Sequence, residues 1–160
     1  MVNLSVITAT YNRQQKLQEL VKNLSKQTIP AEEYEVIVVD DGSPNKISIP
    51  NEFQPKDFKL IRFEQNQERS IARSTGVEAA IGKILIFIDD DLILQPDFLE
   101  QHLRAQEEWE NLLGIGKIIL PPEKLAEPGI RFRQELEKNE IPLTRGLVDK
   151  PNFATAANMS

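Results

Sequence analysis

The run "KILIFIDDDLILQPDF", residues 83–98, constrains the fold more than any other stretch of the chain. From Lys83 to Ile88 it is almost continuously apolar, which suits a strand covered on both faces, the usual situation in a parallel sheet. It then sets three carboxylates side by side at Asp89, Asp90 and Asp91, and like charges at that spacing repel. Something has to hold them there. A helix cap needs one acceptor, and the next helical pattern starts only near Pro96, so capping does not account for the triplet.

Around this run, short apolar segments alternate with helical patterns. "NLSVITAT" (3–10), "YEVIVVDDGS" (34–43), "FKLIRFEQN" (58–66), "KILIFID" (83–89) and "LLGIGKIIL" (112–120) have the composition of strands. Residues 13–27 place Leu17, Leu20, Val21 and Leu24 at i, i+3, i+4 and i+7, the apolar stripe of an amphipathic helix. "RSIARSTGVEAAIG" predicts a helix closing at Gly82. "QPDFLEQHLRAQEEW" predicts another, with Pro96 in its first turn and Phe98, Leu99, His102, Leu103 and Trp109 along one side. Residues 43–55 carry three prolines and read as a loop, and 121–151 are charged and Pro-punctuated, with one helical piece near "IRFRQELEKN". This alternation predicts an α/β fold with a mainly parallel sheet flanked by helices. Ligands of such sheets bind beyond the carboxyl ends of the strands, near a switch in strand order. Three polar clusters, "TATYNR", "DDGS" and "DDDL", should meet there.

Each cluster also has a purely structural explanation. Thr10 or Asn12 could cap the first helix, "DDGS" is an ordinary strand exit, and Arg73 could be a solvated helix arginine. The triplet resists such an explanation. An oxygen-only cluster without His or Cys suits a hard cation such as Mn2+ or Mg2+, which takes one or two carboxylates and completes its shell with water and phosphate. A metal and its ligand would neutralise the triplet.

Composition removes other chemistries. With 160 residues, 40% of them hydrophobic, the chain can bury one core. Its 19 basic and 25 acidic residues give a net charge of -6 and no broad cationic face for nucleic acid or an anionic membrane. The absence of cysteine excludes disulfides and thiolate sites, and the lone His102 leaves no basis for a histidine cluster or triad. His102 and Trp109 read as packing or surface residues of their helix. No apolar run approaches the ~20 residues of a membrane span, and the N-terminus lacks a signal-peptide pattern, so a cytoplasmic location, at most at the inner face of a membrane, is expected. An EF-hand fails because the sixth residue from Asp89 is Leu94, not glycine. "GVEAAIGK" fails as a phosphate loop in spacing, in lacking a hydroxyl residue after Lys83, and in preceding a strand.

Taken together, "SVITATYNR", "VIVVDDGS", "NQERSIARSTGVEAAIGKILIFIDDDLILQPDFL" and "NFATAANMS" resemble the nucleotide-sugar half of the family 2 glycosyltransferases, which have the GT-A fold. The resemblance spans nearly the whole chain, with the motifs in family order. It implies a single, truncated GT-A domain, with residues 1–115 forming the nucleotide-binding half and 116–160 beginning the acceptor-side half. By the same resemblance Ala9 and Tyr11 lie beside the nucleobase and Asp40 hydrogen-bonds it. Arg69 and Arg73 approach base and phosphates, Asp90 or Asp89 contacts the ribose side, and Asp91 binds a Mn2+ or Mg2+ ion that bridges the diphosphate. A carboxylate only accepts hydrogen bonds and uracil offers a ring N–H, which favours a UDP-sugar.

The implied reaction is inverting transfer of a sugar from a nucleotide-diphosphate sugar to an acceptor hydroxyl, on a saccharide or lipid-linked saccharide, as in polysaccharide biosynthesis. Asp149 and Glu140 are available carboxylates, but neither stands in a matching motif, and no general base is assigned. The chain reads as the front of a longer enzyme. A nucleotide-sugar-binding module without transfer activity is the first alternative. A nucleotidyltransferase is the second, although "TATYNRQQK" lacks the Gly-rich phosphate loop usual there.

Overall fold

A computed structural model describes residues 1–108, Gly114, Gly116 and the pair Asn158–Met159. The chain divides into two compact units, Met1–Ile115 with Ala156–Ser160, and Gly116–Thr155; the second lies outside the described residues except for Gly116. In the first unit, β1 (Leu4–Thr10), β2 (Tyr34–Asp40), β3 (Phe58–Arg62) and β4 (Ile84–Ile88) form a parallel sheet, and β5 (Asn158–Met159) adds antiparallel to β4. The strand order is β3-β2-β1-β4-β5. The chain therefore builds outward from β1 in one direction and returns to its other side with β4. Order reverses between β1 and β4, the place where a parallel sheet opens a crevice at its carboxyl edge.

Strand alternation sends successive side chains to opposite faces. Leu4, Val6, Val36, Val38, Ile86 and Ile88 pack on one face with Leu17, Leu20, Val21 and Leu24 of α1 (Gln14–Leu24) and Leu99 of α3 (Phe98–Glu108). Ile7, Ile37 and Val39 pack on the other with Ala72 of α2 (Arg69–Ala79). The four α1 residues at helical spacing are all fully buried, as that spacing predicts. His102 is buried with its ring edge-on to Phe98 at 4.7 Å, a packing role.

Three boundaries differ from the sequence reading. The first helix ends at Leu24, because the next residues turn to hold the start of α3 and the loop before it: Gln27 accepts from Leu99 N–H at 2.9 Å and Thr28 N–H donates to Pro96 O at 2.8 Å. Helix α2 ends at Ala79, with Ala80 already extended. Gly82 is not its cap. It lets the α2–β4 turn run against β1, where a Cβ would sit 2.7 Å from the Leu4 carbonyl carbon. The loop at 43–55 contains a short 3-10 turn, Asn51–Phe53. The strand expected at 112–120, apart from Gly114 and Gly116, lies outside the described residues, as do the helical piece near 130–139 and Trp109.

A buried acid fastens the end of the sheet away from the polar clusters. Glu35, 1% exposed, accepts from Ser5 Oγ at 2.6 Å, Ile81 N–H at 2.7 Å and Lys59 Nζ at 2.8 Å. Burial pushes its carboxyl up, but the donors from Lys59, Ser5 and Ile81 outweigh burial and hold it below the usual carboxylate range. A depressed carboxyl stabilises the fold above its unfolded pKa of about 4.3, and that stability is lost as pH falls through the lower folded value. Glu35→Gln should therefore cost about 1–3 kcal/mol at pH 7, with a gap to the parent that narrows below about pH 4. Denaturant unfolding across pH measures this; a gap independent of pH contradicts it.

Candidate functional site

The polar clusters converge on the carboxyl edge of the sheet. Thr10 is in register with Asp40, and β4 runs alongside β1, so its end brings the carboxylates up to the end of β1. The strand alternation carries on into the triplet. Asp90 turns to the α1 side, where its Oδ2 accepts from Thr10 Oγ1 at 2.6 Å and its Oδ1 from Arg13 Nη1 at 3.1 Å. Asp89 turns to the α2 side and pairs with Arg73 Nη2 at 2.8 Å. Asp91 Oδ2 lies 3.0 Å from the same Arg13 nitrogen that holds Asp90. Two guanidiniums, one at the cap position of α1 and one on α2, thus offset three carboxylates.

The environments of the two arginines differ. Asp90 first, then Asp91, hold the Arg13 guanidinium above its ordinary pKa. Arg73 is lowered, chiefly by burial and secondarily by the charge of Arg69, with Asp89 opposing both. Thr10 spends its hydroxyl on Asp90, and Asn12 has a left-handed φ of 55°. Neither caps α1, whose cap position is Arg13 with no side-chain hydrogen bond.

The "DDGS" turn builds the opposite wall. Asp40 is 1% exposed, and both its oxygens are engaged, by Ser43 N–H at 3.0 Å and by Arg62 Nη1 at 2.9 Å. Ser43 Oγ in turn accepts Asn12 N–H at 2.8 Å, tying the turn to the end of β1. Asp41 accepts Gln67 N–H at 2.7 Å through one oxygen. Gly42, at φ 74°, sits where a Cβ would overlap the backbone at Gln65 and Asn66, so the turn presses directly on the segment leading into α2.

Between these walls lies an open cleft of about 350 Å³. Of the residues singled out from the sequence, Ala9, Tyr11, Arg69 and Asp90 line it. Arg73 and Asp89 stand beside it as an ion pair, Asp91 is half-exposed at the Arg13 contact, and Asp40 lies beneath the surface as the anchor of the turn. Thr10, Arg13, Asp41, Asn66 and Glu68 also line the cleft and were not singled out as site residues. Arg13 follows directly on "ATYN", so its position carried a signal; only the fold shows that it reaches a triplet 77 residues away. Arg69 is the first residue of α2, and among the described residues it has no carboxylate partner. The cleft thus has a free cation at the positive end of a helix, a setting that favours phosphate.

The donor set fits a hard divalent cation of limited kind. Among the described residues no group of three or more acidic or imidazole ligands could enclose a metal. Asp91, with Asp90 behind it, offers one or two carboxylate ligands, so oxygens from a bound ligand would have to complete the shell, which is the habit of Mg2+ and Mn2+ on phosphates.

Solved structures share this fold. S. aureus TarS 1–349 in complex with UDP-GlcNAc aligns with a TM-score of 0.58 at 25% identity, over 79% of this chain and 39% of that one. The mannosyltransferase PcManGT from Pyrobaculum calidifontis, in complex with GDP-Man and Mn2+, aligns with a TM-score of 0.61 at 22% identity, over 76% and 36%. Among curated proteins, the uncharacterized glycosyltransferase YfnE of Bacillus subtilis (strain 168) is 37% identical over 115 residues, 70% of this chain and 29% of its own length. The chain spans less than half the length of this relative and of both solved structures. The profile described as "Glycosyl transferase family 2" matches residues 5–150, and the chain belongs to that family, with a GT-A fold.

Proposed function

We propose that this chain forms the donor-binding part of an inverting, metal-dependent glycosyltransferase that uses a UDP-sugar. The observation that carries the reading is the single cleft in which Asp41, Arg69, Arg13 and Asp90 face one another, with Asp91 at its margin. A nucleoside diphosphate has a donor-bearing base at one end and concentrated negative charge at the other. Asp41 answers the first: one of its oxygens is free of partners among the described residues, and as an acceptor it suits the ring N–H of uracil. Asp40, assigned to the base by family resemblance, takes the role of fixing the turn that presents Asp41. Tyr11 and Ala9 flank the base. Arg69 and the start of α2 take the diphosphate. That TarS has been solved with UDP-GlcNAc on the same fold supports a UDP-sugar, and the PcManGT complex with Mn2+ supports a metal.

In the reaction an acceptor hydroxyl attacks the anomeric carbon from the face opposite the nucleotide, its proton passes to a base, and the diphosphate departs. A divalent cation held by Asp91 supplies, when bound, charge stabilisation to the leaving diphosphate. Arg69 and Arg13 add to that stabilisation and orient the donor. No general base or acceptor is assigned; Glu140 and Asp149 lie outside the described residues. Among the described residues no helix is long and apolar enough to cross a membrane.

Calorimetry with UDP should show tighter binding with Mn2+ than with EDTA, and weaker binding of ADP and GDP than of UDP. Equal affinity in EDTA would remove the metal, and equal affinity for the three nucleotides would remove the base assignment. Two further variants separate chemistry from scaffold. Asp91→Asn should weaken Mn2+-dependent UDP binding about 10 to 100-fold with an unchanged or higher melting temperature, because it removes a ligand and relieves repulsion. Asp40→Asn should instead lower the melting temperature, by leaving Arg62 without its charge partner. Normal UDP affinity in Asp91→Asn contradicts the assignment.

A further inference from the structure

The contact between Arg13 and Asp91 lies where a bound cation would need room. We propose that Arg13 is a built-in counter-ion that occupies Asp91 in the ligand-free protein and gives it up when cation and diphosphate arrive together, so that the cation binds poorly until nucleotide is present. The proposal rests on the functional reading above and adds a coupling between the two ligands.

The two ends of the Arg13 bridge are unequal. Asp90 has a side chain only 7% exposed and is also held by Thr10 Oγ1 at 2.6 Å, so it is fixed. Asp91 is 45% exposed, and Arg13 is its one partner among the described residues. The Arg13 side chain is itself 49% exposed, sits at the uncapped start of α1, and lines the cleft. It can turn from Asp91 toward an anion in the cleft without disturbing the core. Arg73, on α2, is not placed to do the same for Asp89: its side chain is only 18% exposed.

The consequence follows from charge. With Arg13 in place, a bare divalent cation must displace a guanidinium from Asp91 and leave that positive charge close by, which is unfavourable. With a diphosphate in the cleft the displaced guanidinium meets phosphate oxygens and gains a partner in place of the one it lost. Each ligand then favours the other, and by linkage the effect is reciprocal.

The test is Mn2+ binding by the intact chain, followed by the electron paramagnetic resonance of free Mn2+, without nucleotide and with UDP. Arg13→Met should bind Mn2+ alone about 10-fold tighter than the parent, and should show a correspondingly smaller gain in UDP affinity on adding Mn2+. Adding Asp91→Asn to Arg13→Met should abolish the tighter site. Arg13→Lys, which keeps the charge, should stay close to the parent and decides the matter if Arg13→Met does not fold; Mn2+ affinity in Arg13→Lys rising about 10-fold would then overturn the proposal. If the parent binds UDP in a Mn2+-dependent way while Arg13→Met binds Mn2+ alone no better than the parent, the counter-ion role is wrong and the functional reading stands. UDP binding indifferent to EDTA in the parent overturns both.

Discussion

Mutual repulsion among Asp89, Asp90 and Asp91 is the constraint around which the carboxyl edge of the sheet is arranged. Three adjacent carboxylates at a strand end are tolerable only if cations reach them from more than one side, and strand alternation makes that possible. Asp89 faces α2 and meets Arg73, whereas Asp90 faces α1 and meets Arg13, which extends to Asp91 as well. The helices on the two faces are thereby both tied to the end of β4. The same ties hold open a cleft in which carboxylates and arginines face each other at short range.

The rest of the unit keeps that edge in place. A Cβ on Gly76 would overlap Ile7, so α2 lies close against β1 and its first turn stands directly at the cleft. Gly42 and Asp41 dock the segment at 65–67 that leads into α2. The loop after the triplet is fixed from α1 and the turn that follows it: Asn23 accepts Leu94 N–H at 2.9 Å, and Gln27, beyond the helix end, donates to Gln95 O at 3.0 Å. Asp91 therefore stands on a loop that is secured at its far end while its own carboxylate stays half-exposed, which suits the partner exchange proposed for it. Glu35 and Lys59 fasten the opposite end of the sheet, well removed from this exchange.

Much of this was legible in the sequence because it depends on local period. Leu17, Leu20, Val21 and Leu24 declare α1, and the unbroken apolar run to Ile88 declares a strand covered on both faces. The three polar clusters could be assigned to strand ends on the same grounds. What could not be read depends on contacts between distant segments. Gly82 looked like a helix cap because glycine is common there, and its actual reason, the approach to Leu4 and Ser5, has no local signature. Arg13 follows a recognised motif, yet its partners lie 77 and 78 residues on. The two acids of "DDGS" were separable in principle: Val39 packs toward α2 and Asp40 falls on the opposite face, but which carboxylate reaches the cleft depends on the turn at Gly42 and on Arg62, 22 residues further along.

We infer that Asp91 is reserved for a cation that enters with the nucleotide, and that Arg13 keeps its place until then. The most direct measurement is a crystal structure of the protein with UDP and Mn2+, with the ion located by its anomalous scattering. This exchange of partners at Asp91 predicts an anomalous peak at the Asp91 carboxylate and the diphosphate, with Arg13 withdrawn from Asp91 and still beside Asp90 or turned to phosphate. A peak away from Asp91, or a bound UDP with Arg13 still bridging Asp90 and Asp91, would contradict it.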